Sequence, residues 1–549
     1  MVQPFPSAPL RLCGSSLRIA TFRLGPPAML NSFRDGGRLL YAARVLARHD
    51  ALMPREFANR VPPQVRFARS LLGRARAADR NLPPGIRLAL ALESLGPAYI
   101  KLGQLLATRP DIIGDETAAA LAALQDRLPP FPTGRAKEEI EAALGVPTAA
   151  TFETFGEPFA AASVAQVHRA TTNDEPARAV AVKILRPGVE AEFARDLSAF
   201  AFAARWAERF SAEARRLRVR EVVNTLAASV ALELDLRMEA AAASELAERT
   251  ARDSQFRVPA VDWPRTAARV LTTEWVDGIP LRSAAELEAA GHDPKTVAVL
   301  VVRQFLTQAL RDGFFHADMH QGNLFIDAEG RLVCVDFGIM GRLDVAMRRF
   351  MAETLAGFLA RDYLRVANVH YDAGFVPRRH PAPLFAQALR AIGEPVFGQT
   401  ASHVSMARLL QQLFDTTRRF DMELQPQLVL LQKTMVVVEG VARSLDPDID
   451  IWEAARPVVE GWMIEQVGPE ARLRDAAEGL NALGRLAREF PHLLHNAEIV
   501  SAMLADGGLR LHPDTARQIA QAQVVRTRHV RIALWIAAGA LVVLAIGML

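Results

Sequence analysis

The sequence predicts an α+β protein of two lobes, in which a lobe with a small sheet leads into a second, mostly helical lobe. Short apolar runs rich in β-branched residues lie between residues 152 and 185 and recur at 269–274. The segments on either side repeat their apolar residues at helical spacing instead. We therefore expect a helical extension at 29–130, a first lobe at 131–277, and a second lobe with helical additions at 278–515.

Composition and charge limit the classes of function. The chain has 549 residues, enough for two or three packed units, and a formal charge of +4. Much of the basic excess lies at the two ends, which indicates an anionic partner and favours membrane lipid over nucleic acid. The only cysteines, Cys13 and Cys334, exclude a disulfide framework. The catalytic part is therefore expected to face a reducing compartment.

Residues 1–28 contain three arginines and no acidic residue. This pattern is typical of an organelle transit peptide, but it also fits a start codon placed too early, with Met29 as the natural beginning. We favour the second interpretation, because the Ala- and Arg-rich composition of the whole chain looks bacterial. In both cases we expect the segment to be disordered.

A helix is predicted to begin near Pro97, which suits a first helical turn. At about 100° per residue, Tyr99 and Leu102 lie on one face of this helix, while Lys101 and Gln104 lie on the opposite face. Spacing alone predicts that the face with Lys101 and Gln104 is exposed to solvent.

In the first lobe, the apolar run Ala179–Leu185 is interrupted near its end by Lys183. A lysine in this place is either an edge charge or a contact to the α- and β-phosphates of a nucleotide. The segment Val180-Ala181-Val182-Lys183 resembles the protein-kinase strand whose lysine has the second role. Its position ahead of the carboxylate motifs described below favours that role, so Lys183 is a candidate for both catalysis and nucleotide binding.

The loop before that strand departs from the kinase pattern. Protein kinases cover the phosphates with a Gly-x-Gly-x-x-Gly loop, in which missing side chains let the backbone approach the nucleotide. This chain has an alanine-rich loop instead, and its candidates for nucleotide binding are Ala160, Ala161, Ala162, Ser163 and Val164. Because the added methyl groups restrict the backbone, we expect nucleotide grip or selectivity to differ from that of a standard kinase.

Lys183 needs a carboxylate partner, and the helix-forming segment 222–242 offers Glu233, Asp235 and Glu239. Asp235 and Glu239 share a face of a continuous helix, while Glu233 is turned away from Asp235. Spacing does not choose the partner among the three.

The strand predicted at 269–274 runs directly into Trp275–Gly278. A strand that ends in such a connection between two lobes fits the hinge that cradles an adenine in kinases. Glu274 and Val276 are the candidates for nucleotide binding in this hinge.

The most specific feature lies between residues 314 and 341, where two carboxylate motifs flank a predicted hairpin at Asp327–Gly330. Asp318 is followed five residues later by Asn323, and Asp336 begins an Asp-Phe-Gly triplet after the hairpin. Phosphoryl transfer needs a carboxylate at the attacking group and oxygen ligands for magnesium. The spacing therefore predicts Asp318 as the catalytic carboxylate and Asn323 and Asp336 as Mg²⁺ ligands, and the chain resembles a protein-kinase-like phosphotransferase.

Three departures from the protein-kinase pattern surround this centre. Ala317 replaces the arginine that precedes the catalytic aspartate, and His320 replaces the usual lysine, as in small-molecule kinases of the aminoglycoside and choline type. The segment 342–358 reads directly into a helix without an Ala-Pro-Glu element. These departures argue against control by loop phosphorylation and against protein substrates.

The C-terminal region, 516–549, reads as a basic linker and a transmembrane tail. Residues 532–549 carry no charge and follow Arg526, Arg528 and Arg531. An 18-residue helix of this kind spans roughly 27 Å, close to a bilayer core of about 30 Å. We prefer a transmembrane helix to a buried terminal helix. The basic flank predicts a bacterial inner (plasma) membrane anchor with a cytoplasmic catalytic domain.

Together these motifs resemble the UbiB/ADCK family of atypical kinases, which is tied to ubiquinone (coenzyme Q) biosynthesis. The match rests on Lys101-Leu102-Gly103-Gln104 as the family's KxGQ motif, the alanine-rich loop, Glu233-Leu234-Asp235 as its ExD motif, and the Asp318 and Asp336 motifs. The resemblance implies that the KxGQ helix covers the mouth of the active site and that Lys101 pairs with Glu233 or Asp235. It also implies that Glu239 pairs with Lys183. For Lys101 and Gln104 it thus replaces the solvent-exposed interpretation with a regulatory one.

The family implies ATP (or ADP) and Mg²⁺ as cofactors and an ATPase or kinase activity at a membrane. A membrane lipid or a prenylated ubiquinone precursor is the expected partner, other ubiquinone biosynthetic proteins are possible partners, and nucleic acid is not expected. Two alternatives stay open, a small-molecule or lipid kinase and a pseudokinase scaffold of the biosynthetic complex. Hydroxylation of the ubiquinone ring is not supported, since the sequence has no flavin or dinucleotide fingerprint.

Overall fold

The computed structural model describes residues 29–51, 82–107, 113–122, 124, 129–216, 218–397, 412, 419–422 and 425–467. The predicted N-terminal extension is helical. Its helices are α1 (Met29–Arg48), α2 (Pro84–Leu95), α3 (Pro97–Ala107) and α4 (Asp115–Ala122). Helix α3 packs closely at Gly103, where a Cβ atom would lie 2.5 Å from Leu124 Cδ1 and 2.8 Å from Leu92 Cδ1. A larger residue at this position would push α3 away from its neighbours.

The first lobe contains an antiparallel sheet. Its strands are β1 (Phe152–Ala161), β2 (Ala165–Thr172), β3 (Ala179–Leu185) and β5 (Val270–Glu274), in the order β1-β2-β3-β5. Two short helices precede it, α5 (Thr133–Leu144) and α6 (Thr148–Thr151). Ile140 of α5 packs with Phe152 and Val182 in a core between that helix and the sheet. The strands follow the predicted apolar runs, so the small sheet of the first lobe is as expected.

Four helices lie between β3 and β5, namely α7 (Val189–Phe210), α8 (Ala212–Arg216), α9 (Val219–Glu233) and α10 (Leu236–Arg249). The prediction of one continuous helix over 222–242 was wrong. The chain is extended at Asp235, whose carboxylate accepts a hydrogen bond from the Arg237 amide at 3.2 Å and so caps α10. An aspartate competes well for this role because it satisfies an amide that the helix leaves without a partner.

The second lobe begins with two small sheets. The first has β4 (Phe256–Arg257), β6 (Gly278–Pro280), β8 (Leu324–Asp327) and β9 (Leu332–Cys334), in the order β4-β9-β8-β6. The second pairs β7 (Phe314–His316) with β10 (Met340–Arg342). The predicted hairpin is present between β8 and β9, where Gly330 has a φ of +78° that suits glycine.

Helices form the rest of the described second lobe. They are α11 (Ala284–Ala289), α12 (Pro294–Thr307), α13 (Val345–Leu359), α14 (Tyr363–Asp372), α15 (Ala382–Phe397), α16 (Pro426–Leu445) and α17 (Ile451–Val467). A π-helical turn at Gln308–Asp312 extends α12 toward β7. Helix α13 begins three residues after β10 with Asp344 as its cap, in agreement with the predicted direct entry into a helix.

The two chain ends lie outside the described residues. Disorder of 1–28 and a membrane helix at 532–549 therefore stay predictions. In the part of the chain that the structure describes, none of the helices combines the length and apolar character needed to cross a membrane.

Candidate active site

Lys183 of β3 is the centre of the candidate site. Its Nζ lies 2.8 Å and 2.9 Å from the two carboxylate oxygens of Glu239 and 2.9 Å from Asp336 Oδ1. These groups come from a strand of the first lobe, from α10, and from the connection after β9 in the second lobe. The Lys183–Glu239 pair implied by the family resemblance is thus present. It leaves Glu233 and Asp235 free for other partners.

Burial and charge act against each other in this cluster. Burial lowers the pKa of Lys183, but Asp336 and Glu239 outweigh that effect and hold it above its usual range, so the ammonium stays charged. Loss of water around its carboxylate raises the pKa of Asp336, but the charge and hydrogen bond of Lys183 lower it by more, so the pKa is below its usual range and the carboxylate stays ionised. For Glu239 burial is the larger effect and raises the pKa to about 7, against the attraction of Lys183.

The segment after β7 is held by hydrogen bonds of the buried His316. Its Nδ1 accepts a hydrogen bond from the Asp318 amide at 3.1 Å, and its Nε2 lies 3.2 Å from the Val335 carbonyl oxygen. Burial lowers the pKa of His316, which agrees with a neutral ring that accepts at one nitrogen and donates at the other. The imidazole therefore fixes the backbone of Asp318 against the strand that leads to Asp336.

Asp318 and Asn323 are linked in the same way. Asn323 Nδ2 donates to the Asp318 carbonyl oxygen at 3.1 Å, and the Asn323 carbonyl accepts from the Val335 amide at 2.9 Å. The side chain of Asp318 is about one-third exposed, so it can reach a bound molecule. His320 Nε2 lies 3.8 Å from Asp318 Oδ2, too far for a direct hydrogen bond.

The donor set suits magnesium. The amide nitrogen of Asn323 is engaged with Asp318, which leaves its oxygen for a ligand, and the Asp336 side chain is half exposed and ionised. Carboxylate and amide oxygens are hard ligands of the kind that Mg²⁺ prefers. Over the described ranges, no group of three or more His, Cys, Asp or Glu side chains is placed to hold a metal. Phosphate and water oxygens would have to complete the coordination shell.

The alanine-rich loop is a tight turn between β1 and β2. The Ala162 amide donates to the Ala165 carbonyl at 2.8 Å, and Ser163 and Val164 are buried while Ala160 is exposed. Arg186, which follows β3, stabilises this turn. Its Nε donates to the Ala162 carbonyl at 2.9 Å. The contact of Ala160–Val164 with a nucleotide stays a prediction. The sequence alone did not identify Arg186 as a residue that stabilises the turn.

The predicted hinge lies at the end of β5. The Trp275 amide donates to the Ala179 carbonyl at 3.0 Å, which ties the hinge to β3. The carboxylate of Glu274 accepts two hydrogen bonds from Arg257 at 3.0 Å, and its backbone amide donates to the Ala260 carbonyl at 2.8 Å. Val276 is half-buried. The nucleotide-binding roles of Glu274 and Val276 stay predictions.

Lys101 of α3 forms an ion pair with Glu233 at the end of α9. The two charged atoms are 2.7 Å apart, and the side chains are 12% and 18% exposed. Asp235 instead accepts hydrogen bonds from the guanidinium of Arg237 at 2.8 Å and 2.6 Å. The solvent-exposed interpretation of the polar face was therefore wrong for Lys101, and Gln104 on the same helix is half-buried. Helical spacing alone could not show that a second helix covers this face.

Thr434 of α16 also contributes to the site. Its hydroxyl donates to the Ala317 carbonyl at 3.2 Å, next to Asp318 in sequence. Nothing in the local pattern around residue 434 distinguishes this threonine from any other polar residue in an amphipathic helix. Only the tertiary packing of α16 against the segment after β7 brings it there.

Known proteins resemble the chain in two of its regions. Residues 123–370 match the ABC1 atypical kinase-like domain, and residues 389–450 match the UbiB helical domain. A protein of Marinobacter nauticus named "Probable protein kinase UbiB" is 42% identical over 422 residues, which cover 76% of this chain and 77% of that protein. A protein of the same name from Xanthomonas euvesicatoria pv. vesicatoria is 40% identical over 465 residues, with coverage of 82% and 83%.

Among solved structures, the complex of Rv3197 with erythromycin from Mycobacterium tuberculosis aligns with a TM-score of 0.45 and 24% identity, covering 67% of this chain and 93% of that one. The two domain matches place a kinase-like core with mixed helices and sheets ahead of a helical domain. With both domains matched and two relatives at 40–42% identity over most of its length, the chain belongs to the UbiB family of ABC1 atypical kinase-like proteins.

Proposed function

We propose that the protein is a membrane-anchored atypical kinase or ATPase of the UbiB type that uses Mg-ATP and supports ubiquinone biosynthesis. The observation that carries this proposal is the joining of Lys183, Glu239 and Asp336 at 2.8–2.9 Å across the two lobes. The complete set of Lys183, Glu239, Asp318, Asn323 and Asp336 argues against a pseudokinase. The names of the two relatives support the link to the ubiquinone pathway.

Each residue of the cluster has a role that its surroundings support. Lys183 stays protonated and would orient the α- and β-phosphates, while Glu239 holds its ammonium in place. Asp336 and Asn323 would hold Mg²⁺, which neutralises phosphate charge when it is bound. Asp318 would accept the proton of the attacking hydroxyl or water, and His316 positions its backbone.

Three features favour a small or lipidic phosphate acceptor over a protein. The alanine-rich turn is fastened by Arg186, the Lys101–Glu233 pair joins α3 to α9, and α13 follows β10 after only two intervening residues. The last feature leaves little chain for a loop that binds a peptide substrate. A lipid kinase is the second candidate function, and His320 beside Asp318 is the observation that favours it.

The anchor and the location belong to the same proposal. The uncharged segment 532–549 would cross the inner membrane and keep its arginine flank and the catalytic domain in the cytoplasm. A catalytic centre held at the bilayer would meet a prenylated precursor without drawing it into water.

The test is deletion of the gene in the host bacterium, with measurement of ubiquinone and its polyprenylphenol precursors. We expect ubiquinone to fall and a precursor to accumulate, and the wild-type gene to restore both. The gene for Asp318→Ala is the matched control for catalysis. If it restores ubiquinone fully, the protein acts as a scaffold, and unchanged levels of ubiquinone and precursors in the deletion strain exclude the pathway.

Purified protein separates the two enzymatic candidates. The purified protein is incubated with labelled ATP and extracted lipids. An ATPase releases labelled phosphate without labelling any lipid, whereas a lipid kinase produces a labelled lipid. Asp318→Ala should abolish either signal, because both reactions need the same carboxylate.

A further inference from the structure

The C-terminal half of α7 places three aromatic side chains along one face, and two of them, Trp206 and Phe210, are exposed. Phe202, Trp206 and Phe210 are spaced by four residues and therefore lie above one another on the helix. Trp206 is 51% exposed and Phe210 is 72% exposed, and these are unusually large apolar groups to leave in water. We call these three residues the aromatic stripe.

The stripe is not part of the core of this lobe. The opposite face of α7 already buries Phe193, Leu197, Phe200 and Ala204 against the neighbouring helices. The rings of the stripe instead contact one another, with centroids 6.0 Å apart for Phe202 and Trp206 and 5.3 Å apart for Trp206 and Phe210. They are thus ordered beside one another before any partner binds.

The sequence around the stripe is rich in arginine. Between residues 202 and 221 the chain has six arginines against three glutamates, an excess of +3. The guanidinium of Arg205 lies 6.0 Å from the Phe202 ring. One of the nearby glutamates, Glu208, uses its carboxylate to accept a hydrogen bond from the Arg220 amide at 2.9 Å. This stretch of the chain therefore carries more positive than negative charge.

We propose that the aromatic stripe and its arginines form a surface that docks on an anionic lipid bilayer. Tryptophan and phenylalanine enter the headgroup region of a bilayer, while arginines bind the phosphates above it. The surface adds a second membrane contact to the anchor proposed for the C-terminus and does not depend on it. Through α7, whose other face packs with α3 and α9, the docked surface would orient the lobe that carries Lys183.

Two other occupants fit less well. A second copy of the chain across a two-fold axis would bring this surface against itself and so oppose two arginine clusters. Single-stranded RNA would need open ring faces, but the Trp206 and Phe210 rings are inclined by only 20° and cover one another. A bilayer needs neither a charge-reversed partner nor a free ring face.

The test uses the full chain reconstituted in nanodiscs of phosphatidylcholine, with or without phosphatidylglycerol. Tryptophan fluorescence is compared between the wild type and Trp206→Phe, so that the difference reports Trp206 alone. With bromine-labelled lipid chains, we expect at least a two-fold loss of the Trp206 signal in the anionic discs and little loss in the neutral ones. Reversal of the charge at Arg205, Arg209 and Arg220 to glutamate should remove the loss.

The double variant Trp206→Ser/Phe210→Ser tests whether the two exposed rings are needed for docking. Both side chains are mostly exposed, so the fold should be kept, and an unchanged thermal midpoint checks this. Trp263→Ser is the matched control, because Trp263 is 48% exposed elsewhere on the same lobe. Hydrogen exchange at residues 202–220 should slow in anionic discs for the wild type and the control, and not for the double variant.

The proposal is overturned if Trp206 is quenched equally in both kinds of disc or in neither. It is also overturned if the double variant converts a dimer into a monomer in detergent, or if an oligoribonucleotide and not lipid shifts the Trp206 signal. Nucleotide binding measured on the same samples keeps the hypotheses apart. If the wild type fails to dock but binds nucleotide, only the docking surface is contradicted. If the wild type docks but does not bind nucleotide, only the proposed function is contradicted.

Discussion

Glu233, Asp235 and Glu239 lie within seven residues of one another and yet meet three different cations. Glu233 pairs with Lys101, Asp235 with Arg237, and Glu239 with Lys183. The reason is the break between α9 and α10 at Asp235, which removes the shared face that a continuous helix would give Asp235 and Glu239. Because Asp235 caps α10 and ends the continuous helix, Glu233 can contact α3 while Glu239 contacts Lys183 of β3.

At Asp336 a single substitution tests the assignment of the metal site. Asp336→Asn keeps the shape of the side chain but removes one charged partner of Lys183 and one charged ligand for Mg²⁺. We expect the affinity for Mg-nucleotide to fall by about tenfold or more, equivalent to about 1.4 kcal/mol. A titration with a fluorescent nucleotide, with and without Mg²⁺, measures the change.

Asp344→Asn is the control for this substitution. Asp344 caps α13 shortly after the same triplet and accepts a hydrogen bond from the Met347 amide at 2.7 Å. Because asparagine caps a helix about as well as aspartate, this replacement should cost little stability and leave nucleotide affinity unchanged. If Asp336→Asn binds Mg-nucleotide with wild-type affinity, the assignment of Asp336 as a metal ligand is wrong.

Local spacing was enough to predict the parts of the site that lie close together in the sequence. Asp318, Asn323 and Asp336 are joined by one hairpin, so a pattern of 19 residues contains their relation. The same pattern could not identify Thr434 or choose between Glu233 and Asp235 for Lys101. Those contacts depend on how α16 and α3 pack, and packing over 100 residues or more leaves no periodic trace in the chain.

Among the elements, the contact of α3 with α9 is expected to depend on its ion pair. Both Lys101 and Glu233 are largely buried, so their attraction is little screened by water. A double-mutant cycle with Lys101→Met and Glu233→Gln should give a coupling of about 1–3 kcal/mol in urea unfolding. Either single variant should also change ATP turnover if α3 restricts access to the active site.

The pair Asp235–Arg237 provides a matched comparison within the same break. Its side chains are 29% and 52% exposed. A double-mutant cycle for this pair should therefore give a smaller coupling free energy, about 0.2–1 kcal/mol. Equal couplings for the two pairs would mean that the Lys101 contact contributes no more than a surface pair.

Helix α14 carries a buried histidine that should make stability depend on pH. His370 is fully buried between Phe350 and Phe385, and burial lowers its pKa to about 4. In the unfolded chain the histidine has a pKa of about 6.5, so between pH 6.5 and 4 only the unfolded state binds the proton. The free energy of unfolding should therefore decrease as the pH falls through this range, by about 3 kcal/mol at most.

His370→Phe should flatten that dependence, because the new ring fills the aromatic contacts without taking up a proton. Urea unfolding at several pH values between 4 and 7 measures it for both proteins. The variant can be more or less stable than the wild type without affecting the result. If the free energy of unfolding changes equally with pH in the two proteins, another group causes the loss of stability at low pH.

At the scale of the whole molecule, the sheets and the arrangement of helices also show where sequence reasoning stops. The antiparallel sheet of the first lobe is formed by the apolar runs at 152–185 and 269–274 and was predictable. The parallel pairing of β4 with β9 was not, because β4 has only two residues and its partner lies more than seventy residues further on. Likewise, helical periodicity predicts that α7 has a buried face, but not that its aromatic stripe remains exposed.

Membrane attachment is expected to have two components that respond to different extractions. The uncharged segment 532–549 would hold the chain by burial in the hydrocarbon core, which neither salt nor alkaline carbonate disrupts. The arginines around the aromatic stripe would act electrostatically, and salt at about 1 M screens such charges within about 3 Å. The wild type should therefore stay in the membrane fraction under both washes.

A chain that ends at Arg531 should remain on anionic membranes at low salt and leave them at high salt. Adding Trp206→Ser and Phe210→Ser to that truncated chain should move it to the supernatant at any salt concentration, while Trp263→Ser should not. Fractionation followed by immunoblotting measures all four proteins. Removal of the wild type by carbonate would contradict the anchor, and salt-resistant binding of the truncated chain would place the stronger contact elsewhere in the protein.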